Sequence, residues 1–162
     1  LFDSIVKDKK FGRLYQNSWI FNNSNLTYKE VLNANDFGDF IVELQIIFNN
    51  YYVTAYNKSF DFKYLRFKGI NIDFELGCPM ILATDILKIK VKWGYKYPKV
   101  QEAWDYFFPK KDYTEIHRAY DDALHEAQIV YKMIQLKQFP VMMEDDDFKR
   151  EISNMVFEEE EH

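Results

Sequence analysis

Apolar and polar positions follow two different periods along the chain. Leu1 to Asp8 alternates with period two, which predicts a half-buried strand, and the aromatic and β-branched run Tyr51 to Tyr56 predicts a buried one. The apolar run Pro79 to Ala83 predicts a third strand. Apolar residues recur at helical spacing in four further segments, 27–50, 59–68, 100–108 and 119–136. Strands that alternate with helices in this way indicate an α/β domain.

Length and composition restrict the class of protein. The 162 residues fit one domain with a continuous core, and 48% hydrophobic with 19% aromatic residues is typical of a globular chain. No apolar run approaches the roughly 18 residues of a membrane span, and no signal-peptide pattern opens the chain. We therefore expect a cytoplasmic protein with no membrane partner. The single Cys78 excludes an internal disulfide and a cysteine-built zinc site.

Charge divides the chain into two parts. Residues 144–162 hold nine acidic and two basic residues, a net charge of −7, so the total of −5 leaves +2 on the preceding residues. We place one domain at 1–140 and an acidic tail at 141–162. Within the domain, residues 58–111 carry eleven basic and six acidic residues interleaved with aromatic ones. Such a belt attracts phosphate backbones, although lysine-rich surfaces are also common without that function.

The first candidate for chemistry is HRAYDDALHEA, residues 117–127. A helical wheel places Asp122 on a stripe of small apolar residues and Asp121 on another stripe with His125. We therefore expect Asp122 at the rim of the buried face, where a carboxylate needs a partner or a metal, and His125 at the surface. His117 can address the same site only from the loop before the helix. A histidine five residues before an aspartate is also frequent by chance.

The second candidate is AYNKSFDFKYL, residues 55–65. Asp61 lies in the first turns of a predicted helix that follows a buried strand, and Asn57 ends that strand. Carboxylates at such a junction suit Mg²⁺, which prefers oxygen ligands. The plainer interpretation is an acidic residue near a helix N-terminus, which stabilises by only ~0.3–1 kcal/mol.

YNKSFD followed by HRAYDDALHEA resembles the second and third motifs of the DEDDh 3′–5′ exonucleases, a family that includes proofreading subunits. The second motif of that family reads like HNAxFD. The third is His-x4-Asp, with alanine two residues after the histidine and directly after the aspartate. The matching residues are Asn57, Phe60 and Asp61 in the second motif and His117, Ala119, Asp122 and Ala123 in the third. PMILATDIL and NLTYKEVLNANDFGDFI resemble further family segments in the same order, so the likeness extends over about residues 1–139.

The resemblance implies a ribonuclease H-like mixed sheet flanked by helices and hydrolysis of phosphodiester bonds at the 3′ end of single-stranded DNA or RNA. In this family four carboxylates hold two Mg²⁺ or Mn²⁺ ions that activate water. Asp61 and Asp122 would be two of these ligands, and His117 would be the general base. Asn57 and Tyr56 would contact substrate, with Tyr56 standing where the family often has histidine. A polymerase partner is a further implication.

The first motif of the family, Asp-x-Glu, has no counterpart here, because Asp3 is followed two residues later by Ile5. LFDSIVKD matches the third strand of the family better. We therefore expect the first strands and two carboxylates upstream of Leu1, and we expect this chain to be inactive alone. The alternative is a non-catalytic module that binds nucleic acid or a polymerase with the same fold. If the matches are accidental, Asp61 and Asp122 should lie far apart.

Overall fold

The computed structural model describes residues 2–113 and 119–140. These residues form helices and two small sheets, so the predicted α/β class is confirmed. The elements are β1 (Val6–Lys7), α1 (Trp19–Asn23), α2 (Tyr28–Asn33), β2 (Asn35–Asp36), α3 (Ile41–Asn50), α4 (Lys58–Phe67), α5 (Pro79–Leu87), β3 (Lys90–Val91), β4 (Gly94–Tyr95), α6 (Val100–Phe107) and α7 (Ala119–Gln135), with 3-10 turns at Arg13–Tyr15 and Phe37–Phe40. The predicted acidic tail, 141–162, lies outside the described residues.

The strands are much shorter than their sequence patterns predicted. β1 covers two residues of the predicted segment 1–8 and pairs in parallel with β2, while β3 and β4 form an antiparallel hairpin. The predicted strand 51–56 is reduced to one parallel bridge between Val53 and Glu75. There the Val53 N–H donates to the Phe74 carbonyl, and the Leu76 N–H donates to the Val53 carbonyl, both at 2.9 Å.

Three of the predicted helices are confirmed as α4, α6 and α7, with ends within one residue of the predicted ones. The predicted segment 27–50 is instead divided into α2, β2, a 3-10 turn and α3. Thr27 and Glu30 form a reciprocal capping box at the start of α2. Asn33, Asn35 and Asp36 then interrupt the helix, since short polar side chains compete with its backbone bonds. None of the helices in the two described ranges combines the length and the apolar character needed to cross a bilayer.

The predicted strand at Pro79–Ala83 is wrong, because these residues begin α5. A short apolar run fits a buried strand and a buried helix equally well. Pro79 occupies the first turn, where the missing N–H costs no helical hydrogen bond. Proline at that position was therefore the sequence signal that favoured a helix.

Buried side chains form two clusters that meet along YNKSFD. The main cluster joins α6 and α7 and consists of Tyr56, Ala103, Trp104, Phe107, Tyr113, Ile129, Met133 and Phe139. The small cluster lies around α4 and consists of Phe62, Ile70 and Ile72, with partly buried residues of α3 packed against it. Tyr56 and Phe62, six residues apart, thus belong to different clusters.

Candidate active site

The backbone of YNKSFD turns into α4 directly after Asn57. The N–H groups of Phe60 and Asp61 donate to the Asn57 carbonyl at 2.9 and 3.3 Å, and the Ser59 hydroxyl donates to Asn57 Oδ1 at 3.3 Å. Asp61 therefore lies in the first turn of α4, as predicted, whereas the buried strand predicted directly before this helix is reduced to the bridge at Val53. Asn57 itself is half-buried.

Asp61 is a carboxylate that its surroundings keep partly from water. Burial raises the pKa of the Asp61 carboxyl above its ordinary value, and the backbone hydrogen bond at the helix start lowers it by less. Within residues 2–113 and 119–140, no lysine or arginine forms an ion pair with Asp61. A bound cation would therefore stabilise the ionised form of this side chain.

Tyr56 anchors the start of the same segment in the main cluster. Its side chain is only 4% exposed, and its hydroxyl donates to the carbonyls of Pro98 and Lys99 at 3.1 and 3.3 Å. Burial, with a smaller contribution from Glu126, raises the pKa of the Tyr56 hydroxyl. The side chain thus has a structural role in the core, and substrate contact stays a prediction for Tyr56 and for Asn57.

A long-range hydrogen bond joins YNKSFD to α7. The Tyr56 N–H donates to Glu126 Oε2 at 3.2 Å, across 70 residues of sequence. Asp122 lies one helical turn before Glu126, about 6 Å along the axis at the ordinary rise per residue, and both side chains are partly buried. The segments that carry Asp61 and Asp122 are therefore in contact in the folded chain.

The packed face of α7 differs from the predicted one. The fully buried residues are Ile129 and Met133, whereas Ala119, Ala123 and Ala127 are exposed. The three alanines instead line a shallow cavity of about 310 Å³ beside residues 2–4. The helical wheel predicted the wrong buried face for α7 because it assigned the small residues to the core. The aromatic side chains of α6 and of the loop after it pack on a different stripe of α7.

His125 is not a surface residue, contrary to its predicted position. Its ring lies 4.2 Å from the Tyr113 ring and 4.9 Å from the Trp104 ring, measured between centroids. Nδ1 is 2.7 Å from the Asp121 carbonyl oxygen, which can only accept, so Nδ1 carries the proton of this hydrogen bond. His125 therefore contributes to packing between α6 and α7.

The two-ion site of the exonuclease family requires several ligands, and Asp61 is the candidate for one of them that YNKSFD contains. Asp61, partly buried and without an ion pair in the described part of the chain, fits a ligand for a hard cation such as Mg²⁺. In these same residues, no group of three or more His, Cys, Asp or Glu side chains is arranged to hold a metal ion. His117 lies outside the described residues. The described carboxylates thus fit individual ligands and do not form a complete two-ion centre.

The long-range contact of Glu126 was not predicted from the sequence. Glu126 shares a helix stripe with Asp122, four residues earlier, which was the available signal. Its contact is with a backbone N–H 70 residues away. Periodicity reports only local neighbours, so it could not identify this partner.

Comparisons with protein-family models, with curated proteins and with solved structures find no significant match to this chain. The resemblance to the DEDDh exonucleases therefore depends on the motif residues alone.

Proposed function

We propose that this chain carries part of the active site of a metal-dependent 3′–5′ exonuclease with a ribonuclease H-like domain. Its substrate would be the 3′ end of single-stranded DNA or RNA. The hydrogen bond between the Tyr56 N–H and Glu126 Oε2 carries this proposal, because it joins the two motif segments across 70 residues. A shared active site requires these two segments to meet, and this contact meets that requirement.

In this proposal Asp61 and Asp122 are metal ligands. Bound divalent ions would supply Lewis acidity and lower the pKa of an attacking water. Asp61 suits this role because burial already disfavours its uncompensated charge. Asn57, half-buried at the start of α4, would contact the nucleotide at the 3′ end.

His117 is the proposed general base. An imidazole titrates near neutral pH and can therefore accept a proton from the attacking water at physiological pH. Removal of a general base typically costs on the order of 10²- to 10⁴-fold in rate. In a chain that holds all four carboxylates, His117→Ala should lose activity to that extent while keeping metal binding, since it removes no proposed ligand.

Metal binding tests the proposed ligands without requiring hydrolysis. Titration with Mn²⁺, followed by the loss of its free-ion electron paramagnetic resonance signal, should detect binding to the full chain. Asp61→Asn and Asp122→Asn should each weaken that binding by at least about tenfold, within the range for loss of a ligand or its partner. Asp121→Asn is the matched control, because it changes the adjacent aspartate on the same helix and should leave the affinity unaltered.

Hydrolysis is measured on a 5′-labelled single strand with Mn²⁺. Stepwise shortening from the 3′ end that persists in Asp121→Asn and is lost in Asp61→Asn and Asp122→Asn supports the proposal. Mn²⁺ binding at these two aspartates without hydrolysis is the result expected if two further carboxylates are required. Nucleic-acid binding with neither metal binding nor hydrolysis would favour the non-catalytic module. A chain that shows no nucleic-acid binding, no metal binding and no hydrolysis would contradict both the exonuclease and the non-catalytic module.

A further inference from the structure

The hairpin between α5 and α6 has an exposed aromatic and basic face. Lys90 pairs with Tyr95, and Val91 with Gly94. The Lys96 N–H donates to the Ile89 carbonyl at 3.0 Å, which continues the pairing by one position. Because directly opposite residues of an antiparallel pair share a face, Lys90 and Tyr95 lie side by side on the hairpin.

Aromatic exposure on this hairpin is large for so short an element. Trp93 is 85% exposed, Tyr97 62% and Tyr95 47%. Gly94 follows the turn with φ of +88°, a conformation that favours glycine, and this turn puts Lys92 and Trp93 at the tip. Exposed rings at the alternate positions 93, 95 and 97 leave apolar area uncovered, which is typical of a binding surface.

The charge of the same segment has one sign. Residues 88–99 contain five lysines and no acidic residue. Lys96 pairs with Glu102 on α6. Within the part of the chain that the structure describes, Lys88, Lys90 and Lys92 form no ion pair. Lys92 Nζ lies 5.6 Å from the centre of the Trp93 ring. The available positive charge therefore lies next to the exposed rings.

We propose that this hairpin is a platform for single-stranded nucleic acid, in which Trp93, Tyr95 and Tyr97 stack on bases while Lys88, Lys90 and Lys92 contact phosphates. Every base has a face that can stack on an aromatic ring, and a basic surface attracts the backbone. Lysines on an exposed strand also prevent aggregation, but that role does not require three exposed rings. The inference rests on the proposed function only in taking nucleic acid as the ligand.

The test is fluorescence anisotropy of a labelled oligo(dT) strand with the full chain, in EDTA so that hydrolysis does not occur. Trp93→Ala should weaken binding about tenfold, the scale of losing one stacked base. Trp93→Phe should restore most of the affinity, because a phenyl ring can still stack. Tyr51→Ala is the matched control, since Tyr51 is also exposed, at 58%, and lies outside the hairpin.

Salt dependence tests the phosphate contacts. Lys90→Ala should reduce the slope of log affinity against log salt by ~0.7, the value for one single-strand phosphate contact. Lys29→Ala, on the exposed side of α2, should leave the slope unaltered. An unaltered slope in Lys90→Ala would contradict a phosphate contact at this residue.

Three results would overturn the platform. They are unaltered oligo(dT) affinity in Trp93→Ala, equal competition by heparin and by unlabelled oligo(dT), and Trp93-dependent binding to phosphatidylserine vesicles without binding to oligo(dT). The outcome is separable from that of the proposed function. Trp93-dependent binding of oligo(dT) by a chain that neither binds Mn²⁺ nor hydrolyses the strand supports the platform and not the exonuclease. Hydrolysis with binding independent of Trp93 supports only the exonuclease.

Discussion

The main cluster and the small cluster differ in what surrounds their apolar side chains. In the main cluster, two aromatic residues donate to backbone carbonyls: the Tyr56 hydroxyl bonds to Pro98 and Lys99, and Trp104 Nε1 donates to Lys111 at 3.0 Å. The small cluster consists of aliphatic and phenyl side chains that pack against one another. Beside it, Lys58 and Arg66 both pair with Glu75 at the surface.

This difference bears on Asp61, because the chain passes from one cluster to the other within YNKSFDF. Tyr56 fixes the start of the segment to α7 and to the loop before α6, while Phe62 fixes the first turns of α4 to the small cluster. Asp61 directly precedes Phe62. The position of Asp61 relative to α7 therefore depends on both clusters. Substitutions in the two clusters should differ in their effect on the free energy of unfolding.

The largest expected effect comes from removing a main-cluster ring. Trp104→Ala should lower the free energy of unfolding by about 3–5 kcal/mol, because it leaves a cavity and removes a hydrogen bond. Urea unfolding followed by circular dichroism measures the change. Trp93→Ala, at an exposed site, should change the unfolding free energy by less than about 0.5 kcal/mol. Equal effects of the two variants would contradict the packing described for α6.

Phe62→Ala should have the next largest effect, about 3 kcal/mol, at the lower end for buried phenylalanine because the small cluster has few members. Phe67→Ala on the same helix is the matched control, since Phe62 is 2% exposed and Phe67 81%. The same urea titration applies to both. An equal loss of unfolding free energy in Phe67→Ala and Phe62→Ala would contradict the burial of Phe62 and the exposure of Phe67 on α4.

Tyr56→Phe isolates the hydroxyl that distinguishes the main cluster. Removing its hydrogen bonds to two carbonyls should cost about 1 kcal/mol, since the ring stays in place. Thermal and urea unfolding should agree on this loss. Tyr51→Phe removes a hydroxyl from an exposed ring and should be close to neutral, so a comparable loss there would argue against the buried bonds.

Asp61→Asn should have the smallest effect on stability and the opposite sign. Burial raises the Asp61 pKa above its ordinary value of 3.8, so the folded state holds this proton more tightly than the unfolded state. The stability associated with Asp61 is therefore present below pH 3.8 and is lost as pH rises through the folded pKa. At neutral pH, Asp61→Asn should stabilise the chain by about 0.5 kcal/mol or less. Destabilisation at neutral pH would contradict this interpretation.

Glu75→Gln is the contrasting variant in the same pH titration. Burial opposes its ionisation, but the hydrogen bonds from Lys58 and Arg66 outweigh burial and lower the Glu75 pKa. The stability from this carboxylate is therefore present above its ordinary pKa of 4.5 and is lost as pH falls through the lowered folded value. Solvent-screened pairs contribute ~0.2–1 kcal/mol, so Glu75→Gln should flatten the acid side of the pH profile by that amount.

The sequence predicted the positions of the helices better than it predicted which side of each helix is buried. Apolar periodicity located α4, α6 and α7, and the Thr27 capping box was read correctly, because these signals come from residues within one or two helical turns. The exposed side of α7 was misjudged because the rings of Trp104 and Tyr113, distant in sequence, decide which stripe is covered. The position of Asp61 in its helix was predictable, whereas the contact between Tyr56 and Glu126 was not.

The hydrogen bond between Tyr56 and Glu126 also has a consequence for the order of folding. It closes a loop of 70 residues, and contacts of such high sequence separation form late, because chain entropy must be lost before they stabilise anything. At a synthesis rate of ~5–20 residues per second, YNKSFD leaves the ribosome several seconds before α7. The α4 helix can therefore form during synthesis, but the candidate active site can assemble only after α7 has docked.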